Sequence, residues 1–381
     1  MLLKYADRLH YSGVLLGHFP TKRRLPSPRG CCSILTSKET LSFYLSLFYC
    51  LVNLGLMLWS LFAILAFGFD NFEPKLNVKQ VAPIAAFVWF SFGVISQIYH
   101  IIYGPKVTDI IKQFASTLLV DNDHSLTTVF RLAMFLPHIL ALAITSCNFL
   151  LYADILRSPF VFTLIPGRTN QPWVIALNSL VSFLSVHSLY YLFAWYAFSC
   201  TIARVHFAAL THMVVMQKTV NEEFVLRIRR LYKTVTDATH RIDDCFKWYH
   251  LYSLTLSTFY LTVMLFLMLR DTYEWKTLLL IALWTVGQMF MVILTAVPAI
   301  GMNDQIRRFE GAVIEMDVSR CGLSDDKMQL AIDKIALVQY IRATVPQMSA
   351  GNFFQIDRQM IVTMISAIIT YLIIMLQSDS R

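Results

Sequence analysis

"GNFFQIDRQMIVTMISAIITYLIIMLQSDSR", residues 351–381, is the stretch that decides the fold. From Phe353 to Gln377 it is mostly apolar, and a helix needs about 20 such residues to cross a bilayer. The chain is expected to end just beyond that crossing. Similar runs lie at 41–67, 81–103, 132–152, 173–200, 251–269 and 277–300, which makes seven candidate spans. Composition agrees: 56% of the residues are hydrophobic and 15% charged, with a mean hydropathy of +0.56, values far from those of a soluble domain. The expected fold class is an all-α membrane protein with seven transmembrane helices.

The positive charge gives the orientation. Residues 1–40 form a basic segment broken by Pro20, Pro26, Pro28 and Gly30, and the first apolar run begins too late for a cleaved signal peptide. If this tail is inside, the inner segments hold Lys4, Arg8, Lys22, Arg23, Arg24, Arg29, Lys38, Lys106, Lys112 and Arg131, and the two long connections near 201–250 and 301–352 add many more. The outer segments hold only Lys75, Lys79, Arg157, Arg168, Arg270, Lys276 and Arg381. The positive-inside rule then places the N-terminus in the cytosol and the C-terminus outside. This is opposite to a G-protein-coupled receptor. The basic tail is not followed by an aromatic-interleaved patch, so nucleic acid is not an expected partner.

Enzyme signatures are lacking. His206 and His212 do not have the spacing or the glutamate of a helical zinc site, and neither a Gly-x-Ser-x-Gly elbow nor a phosphate loop occurs. No catalytic residue, metal or cofactor is expected. His138 and His187 stand alone inside spans, where an interhelical hydrogen bond is the simplest use of an imidazole.

The long inner connections carry helical stripes. Val225, Ile228, Leu231, Val235, Ile242, Phe246 and Tyr249 recur at helical spacing among charges, as do Ile332, Ile335, Val338 and Ile341. Spans four to six are expected to continue into the cytosol and to pack with a separate helix near 325–345. Whether those stripes are covered within the chain or by other subunits stays open, the second reading making Val338 and Ile341 contact residues.

On the last helix, at about 100° per residue and with Thr363 at zero, Ser366 falls near −60°, Thr370 near −20°, Ile374 near +20°, Gln377 near −40° and Ser378 near +60°. The small and polar residues therefore share one third of the circumference. Such a stripe either packs on a neighbouring helix or faces water in a pore.

The end of this segment resembles the C-terminal signature of the insect gustatory receptors, a family related to the insect odorant receptors: Thr-Tyr, five apolar residues, then Gln-Phe. Thr370, Tyr371 and Gln377 match, and Ser378 stands where the family usually has Phe. The upstream "SAGNFFQIDR" and the seven-span, N-inside layout have the same character. The resemblance implies a plasma-membrane chemoreceptor of gustatory neurons that acts as a ligand-gated, non-selective cation channel. It implies a tetramer, homomeric or heteromeric with other gustatory receptors, with four last helices (353–381) lining one pore. Its gate would comprise Thr370, Ile374, Gln377 and Ser378. Residues 41–300 would supply six spans with a ligand pocket in their outer halves and cytosolic extensions at 201–250, and 301–352 would supply anchor helices.

The outer halves, such as "VAPIAAFVWFSF" and "WKTLLLIALWTVGQ", are aromatic and poor in polar groups. Asn148, Tyr152, Asn178, His187, Trp284 and Gln288 are the candidate ligand contacts. A sugar requires many hydroxyl partners, so the expected small-molecule tastant is a bitter or other moderately apolar compound or a contact pheromone. A sugar-sensing relative is the alternative within the family. Outside it, the alternative is a seven-helix receptor that signals through a cytosolic partner.

Overall fold

The structure is a computed structural model and describes residues 37–67, 78–116, 124–155, 172–217, 220–270, 275–316 and 324–379. The basic segment before residue 37 lies outside the described residues. The helices are α1 (Ser37–Phe67), α2 (Val78–Ser116), α3 (His124–Ile155), α4 (Pro172–Met216), α5 (Glu222–Arg270), α6 (Trp275–Glu315), α7 (Ser324–Ala343) and α8 (Arg358–Asp379). A two-stranded hairpin, β1 (Ser349–Ala350) and β2 (Phe354–Gln355), precedes α8. Seven helices, α1 to α6 and α8, carry the apolar runs and make an all-α membrane fold. Helix α7 is too rich in Asp, Lys and Gln to be a span.

At 1.5 Å per residue α5 is about 74 Å long, more than twice the ~30 Å hydrocarbon thickness. Its N-terminal half cannot lie in lipid. Asn221 starts it, accepting the Phe224 amide on Oδ1 at 2.9 Å, and Glu222 and Glu223 follow where the helix dipole favours negative charge. Helices α4 and α6 likewise run well past 200 and 300.

The core forms around α4, which packs against α1, α2, α3, α5 and α6. Its segment Leu189–Tyr196 is buried on every side. A helix apolar all round is stable only when surrounded, as here by other helices. Gly93 lets α2 and α4 approach: a Cβ there would sit 2.7 Å from the Ser185 Cβ. Past the spans, Ile228, Tyr232, Val235 and Ile242 of α5 close a second part of the core with Phe309 and Val313 of α6 and Leu337 and Ile341 of α7. The Tyr232 ring stacks on Phe309 with centroids 5.4 Å apart, and its hydroxyl donates to the Ile341 carbonyl.

The α7 stripe therefore divides. Ile341 is fully buried within the chain and Val338 packs against its core, whereas Met328, Ile332 and Ile335 are exposed. Val338 and Ile341 are consequently core residues of their own subunit, and an intersubunit contact by α7 would use the outward residues instead.

Helix α8 has a different status. It leans on α5 and touches α6, yet none of its apolar span is buried. Its base is fixed. Asp357 caps it by accepting the Met360 amide at 2.9 Å, Met360 and Ile361 pack on the core, and Arg358 pairs with Asp304 of α6 at 2.7 Å. The apolar run that suggests a span from 354 thus begins in β2, and the helix starts at Arg358.

Candidate functional site

The predicted pore stripe can be located directly on α8. Thr363, Ser366, Thr370, Ile374, Gln377 and Ser378 are all exposed. Met364, Ile368, Leu372, Met375 and Leu376, on the side about 120° away, are partly covered. The polar stripe therefore faces away from the rest of its own chain, so it is not an intramolecular packing seam. Val362, Ile365, Ile369 and Ile373 are also exposed and flank it on one side. Each hydroxyl on the stripe donates to its own helix: Thr363 to the Gln359 carbonyl at 2.9 Å, Ser366 to Val362 at 2.8 Å, Thr370 to Ser366 at 2.8 Å and Ser378 to Ile374 at 2.7 Å. Such back-bonding satisfies the proton and leaves an oxygen lone pair outward. Tyr371 of the signature is exposed.

The hairpin joins α8 to α5. Its turn has positive φ at both Gly351 (63°) and Asn352 (61°), as a tight hairpin turn requires. The Gly351 amide donates to the Lys247 carbonyl at 2.8 Å. Asp243, one turn below Lys247, accepts from the Ser349 amide at 2.6 Å and from its hydroxyl at 2.9 Å. Burial pushes the Asp243 carboxyl above the usual carboxylate range, while the two Ser349 bonds pull it down less strongly.

The folded state therefore holds the Asp243 proton more tightly than the unfolded chain. Its contribution is most favourable below the ordinary value of 3.8 and declines as pH rises through the higher folded value. Asp243→Asn should flatten this part of the pH dependence and keep the Ser349 amide bonded, whereas Asp243→Ala should orphan that amide and lower stability by about 1–3 kcal/mol. Thermal unfolding of the detergent-purified protein across an acidic pH series reads both effects.

The candidate ligand contacts scatter more. Asn148 and Tyr152 fall near the end of α3 and Asn178 near the start of α4, where the side chains lie outside the described residues. His187 is buried and faces α3: its Nε2 lies 2.8 Å from Nδ1 of His138, the interhelical bond expected for these two residues. Trp284 is half-buried and Gln288 fully buried, one turn apart on α6. Gln288 donates through Nε2 to Ser257 Oγ of α5. Tyr190 of α4 donates to the Gly287 carbonyl at 3.1 Å. His187 and Gln288 thus belong to two polar contacts, α4 with α3 and α5 with α6.

A further set of buried polar groups was not singled out from the sequence. His100 on α2 reaches the Ser188 carbonyl at 2.8 Å, Ser188 donates to Gln97 at 3.2 Å, and Ser96 bonds the Tyr249 hydroxyl at 2.9 Å. Polar residues spaced a turn apart within an apolar run, as Ser96 and His100 are, were the available signal.

A cavity of about 450 Å³ lies at the α4–α5 turn, lined by His212, Met213, Met216, Asn221, Phe224 and Arg227 among others. It is far along the helices from the spans. Among the described residues no group of three or more His, Cys, Asp or Glu is placed to hold a metal ion.

The comparisons with known proteins agree with this architecture. The chain matches the olfactory receptor OR5 from the insect Machilis hrabei solved in complex with eugenol, with a TM-score of 0.75 at 12% identity, covering 99% of this chain and 98% of that one. A second structure of the same receptor, described without eugenol, gives 0.73 at 12% identity and covers 98% of each chain. These likenesses show the fold. A curated relative, gustatory receptor family protein 3 of Caenorhabditis elegans, is 26% identical over 102 residues, which cover only 26% of this chain and 22% of that protein. The sequence profile described as 7tm chemosensory receptor matches residues 7–381. With seven spans, an outward-facing last helix and a match over nearly its whole length, the chain belongs to the 7tm chemosensory receptor family, whose members are receptors rather than enzymes.

Proposed function

We propose that this chemosensory receptor is a ligand-gated cation channel for a moderately apolar tastant, built from four copies around an axis lined by α8. The observation that carries the proposal is the exposure of the α8 polar stripe. A polar stripe turned away from its own bundle sits better against another protein surface or water than against lipid, which offers nothing to the outward oxygen lone pairs that the back-bonds leave unused. Four such helices around water satisfy the stripe and cover the adjacent Val362, Ile365, Ile369 and Ile373. The small-molecule reading is supported by the eugenol complex of the Machilis hrabei receptor. The taste reading rests on the Thr370–Tyr371 and Gln377 signature and on the gustatory relative.

Excised-patch recording from cells that express this chain alone tests the proposal. Ligand-evoked current that persists without cytosol and without nucleotide is expected, and its absence at verified surface expression would sink the channel reading. An epitope placed after Arg381 should be stained on intact cells and one before Met1 only after permeabilisation. Purified protein should run as a tetramer, and Ile335→Glu, on the exposed α7 face, should shift it toward smaller species.

A further inference from the structure

At the cytosolic edge of the spans two arginines meet no carboxylate. Arg204 stands on α4 just past the apolar run 173–200, about 6 Å beyond its end at 1.5 Å rise per residue. This is the depth of the lipid headgroups. Its side chain is half-buried and lies against α6 at Gly301, where a Cβ would sit 3.5 Å from Arg204 Nη1 and 3.6 Å from Arg204 Cδ. Further into the cytosol the same two helices meet again, Gln305 Nε2 donating to Thr211 Oγ1 at 3.2 Å. Arg308 of α6 is exposed. Among the described residues neither Arg204 nor Arg308 forms an ion pair. The α6 carboxylates near them are taken, Asp304 by Arg358 at 2.7 Å and Glu310 by Arg342 at 2.7 Å.

Above the arginines α6 offers hydrocarbon. With Gly301 at zero and about 100° per residue, Val297, Ile293, Met289 and Val286 fall between about −40° and about −120°, and Arg308 falls at about −20°. The four apolar side chains are exposed. One face of α6 therefore runs from an apolar stripe in the bilayer to Gly301, where the Arg204 side chain lies, and on to Arg308.

We infer that this face binds an anionic phospholipid of the cytosolic leaflet, with the phosphate on Arg204, the further negative charge of the headgroup toward Arg308, and an acyl chain along Val297, Ile293, Met289 and Val286. A guanidinium holds a phosphate through paired hydrogen bonds, and anionic lipids are concentrated in that leaflet. A zwitterionic headgroup brings an ammonium that Arg308 repels. A bilayer lipid fits better than a soluble anion because the upper part of the face is hydrocarbon. Binding there is independent of whether the chain conducts.

The test titrates the purified full-length protein in detergent with palmitoyl-oleoyl phosphatidylserine or phosphatidylcholine and counts bound lipid by native mass spectrometry. Phosphatidylserine should bind on the order of tenfold more tightly than phosphatidylcholine. Arg204→Gln should lower the phosphatidylserine affinity about fivefold and leave phosphatidylcholine unchanged, whereas Arg204→Lys, which keeps the charge, should retain most of it. Arg230→Gln, on the exposed cytosolic part of α5, should change neither lipid. Glycerophosphoserine, the same headgroup without acyl chains, should bind at least about tenfold more weakly than the lipid.

Equal affinity for the two lipids, equal weakening of both by Arg204→Gln, or the same loss from Arg230→Gln would overturn the inference. Glycerophosphoserine that binds as tightly as the lipid would overturn it in favour of a soluble anion. Ile293→Ser that breaks up an oligomer on sizing and leaves lipid affinity unchanged would give the apolar face to a second copy and overturn it as well. If Arg204→Gln does not fold, the wild-type comparison together with Arg308→Gln decides.

Discussion

Shortening Ile374 to Ala is expected to give current in the absence of ligand. Ile374 lies on the exposed stripe of α8, one turn below Ser378. In a pore of four helices it would be the last bulky apolar ring before the end of the helix, and apolar rings close pores by dewetting. Removing about 0.35 kcal/mol of closed-state stabilisation per subunit, less than half the value of one buried methylene, changes the total by about 1.4 kcal/mol over four copies. That is a tenfold rise in the resting open population. Ser378→Phe should act in the opposite direction by adding a second ring. Gln377→Leu should reduce conductance or cation permeability more than ligand potency. Whole-cell and patch recordings with matched surface expression read all three. Wild-type behaviour of both Ile374→Ala and Gln377→Leu would place the pore elsewhere.

The second large effect belongs to Gly351. Its φ of +63° is a left-handed conformation, and a Cβ there would lie 2.6 Å from Leu251 Cδ2 and 3.2 Å from Leu251 Cβ. Gly351→Ala incurs about 1–2 kcal/mol for the backbone alone, and the Leu251 clash adds to it. Leu251 Cδ2 can turn aside, but the 3.2 Å approaches to Leu251 Cβ and Phe353 Cδ2 together with the backbone strain push the hairpin away from α5 and weaken the Gly351 to Lys247 bond at the base of α8. Ligand-evoked current should fall severalfold or vanish while protein still reaches the surface. Combining Gly351→Ala with Leu251→Ala should restore part of the response, because the 2.6 Å contact with Leu251 Cδ2 is removed while the 3.2 Å approaches to the Cβ of residue 251 and to Phe353 Cδ2 remain beside the backbone term. No recovery in the double variant would assign the loss to backbone strain and those remaining contacts.

The seven spans and the all-α fold were readable because hydropathy is a property of segments, and a run such as 277–300 has few other uses. The hairpin was not. Gly351-Asn352 is a turn signal, but Phe353, Phe354 and Ile356 continue the apolar character around it, so the run blends into the helix that follows. On α7 the spacing of Ile332, Ile335, Val338 and Ile341 showed a helix but could not divide its circumference. Only the position of α5 and α6 tells that Ile341 is inside and Ile335 outside. Similarly, Gln288 was visible as a polar residue in an apolar span. Its partner Ser257 comes from another helix 31 positions away in sequence, and no periodicity relates the two.

The great length of α5 has a thermodynamic consequence. One continuous helix carries Ser257, which holds Gln288, and the Lys247 carbonyl, which holds the hairpin before α8. The two points are about 15 Å apart along a rod with 1.5 Å rise per residue. A free-energy coupling between distant sites is reciprocal by necessity. If a bound ligand favours an open α8, then opening α8 by other means must in turn tighten ligand binding. Ile374→Ala, which lies far from the α5–α6 contact, should therefore bind a ligand more strongly than wild type, by a factor no larger than the one by which the ligand raises the opening equilibrium.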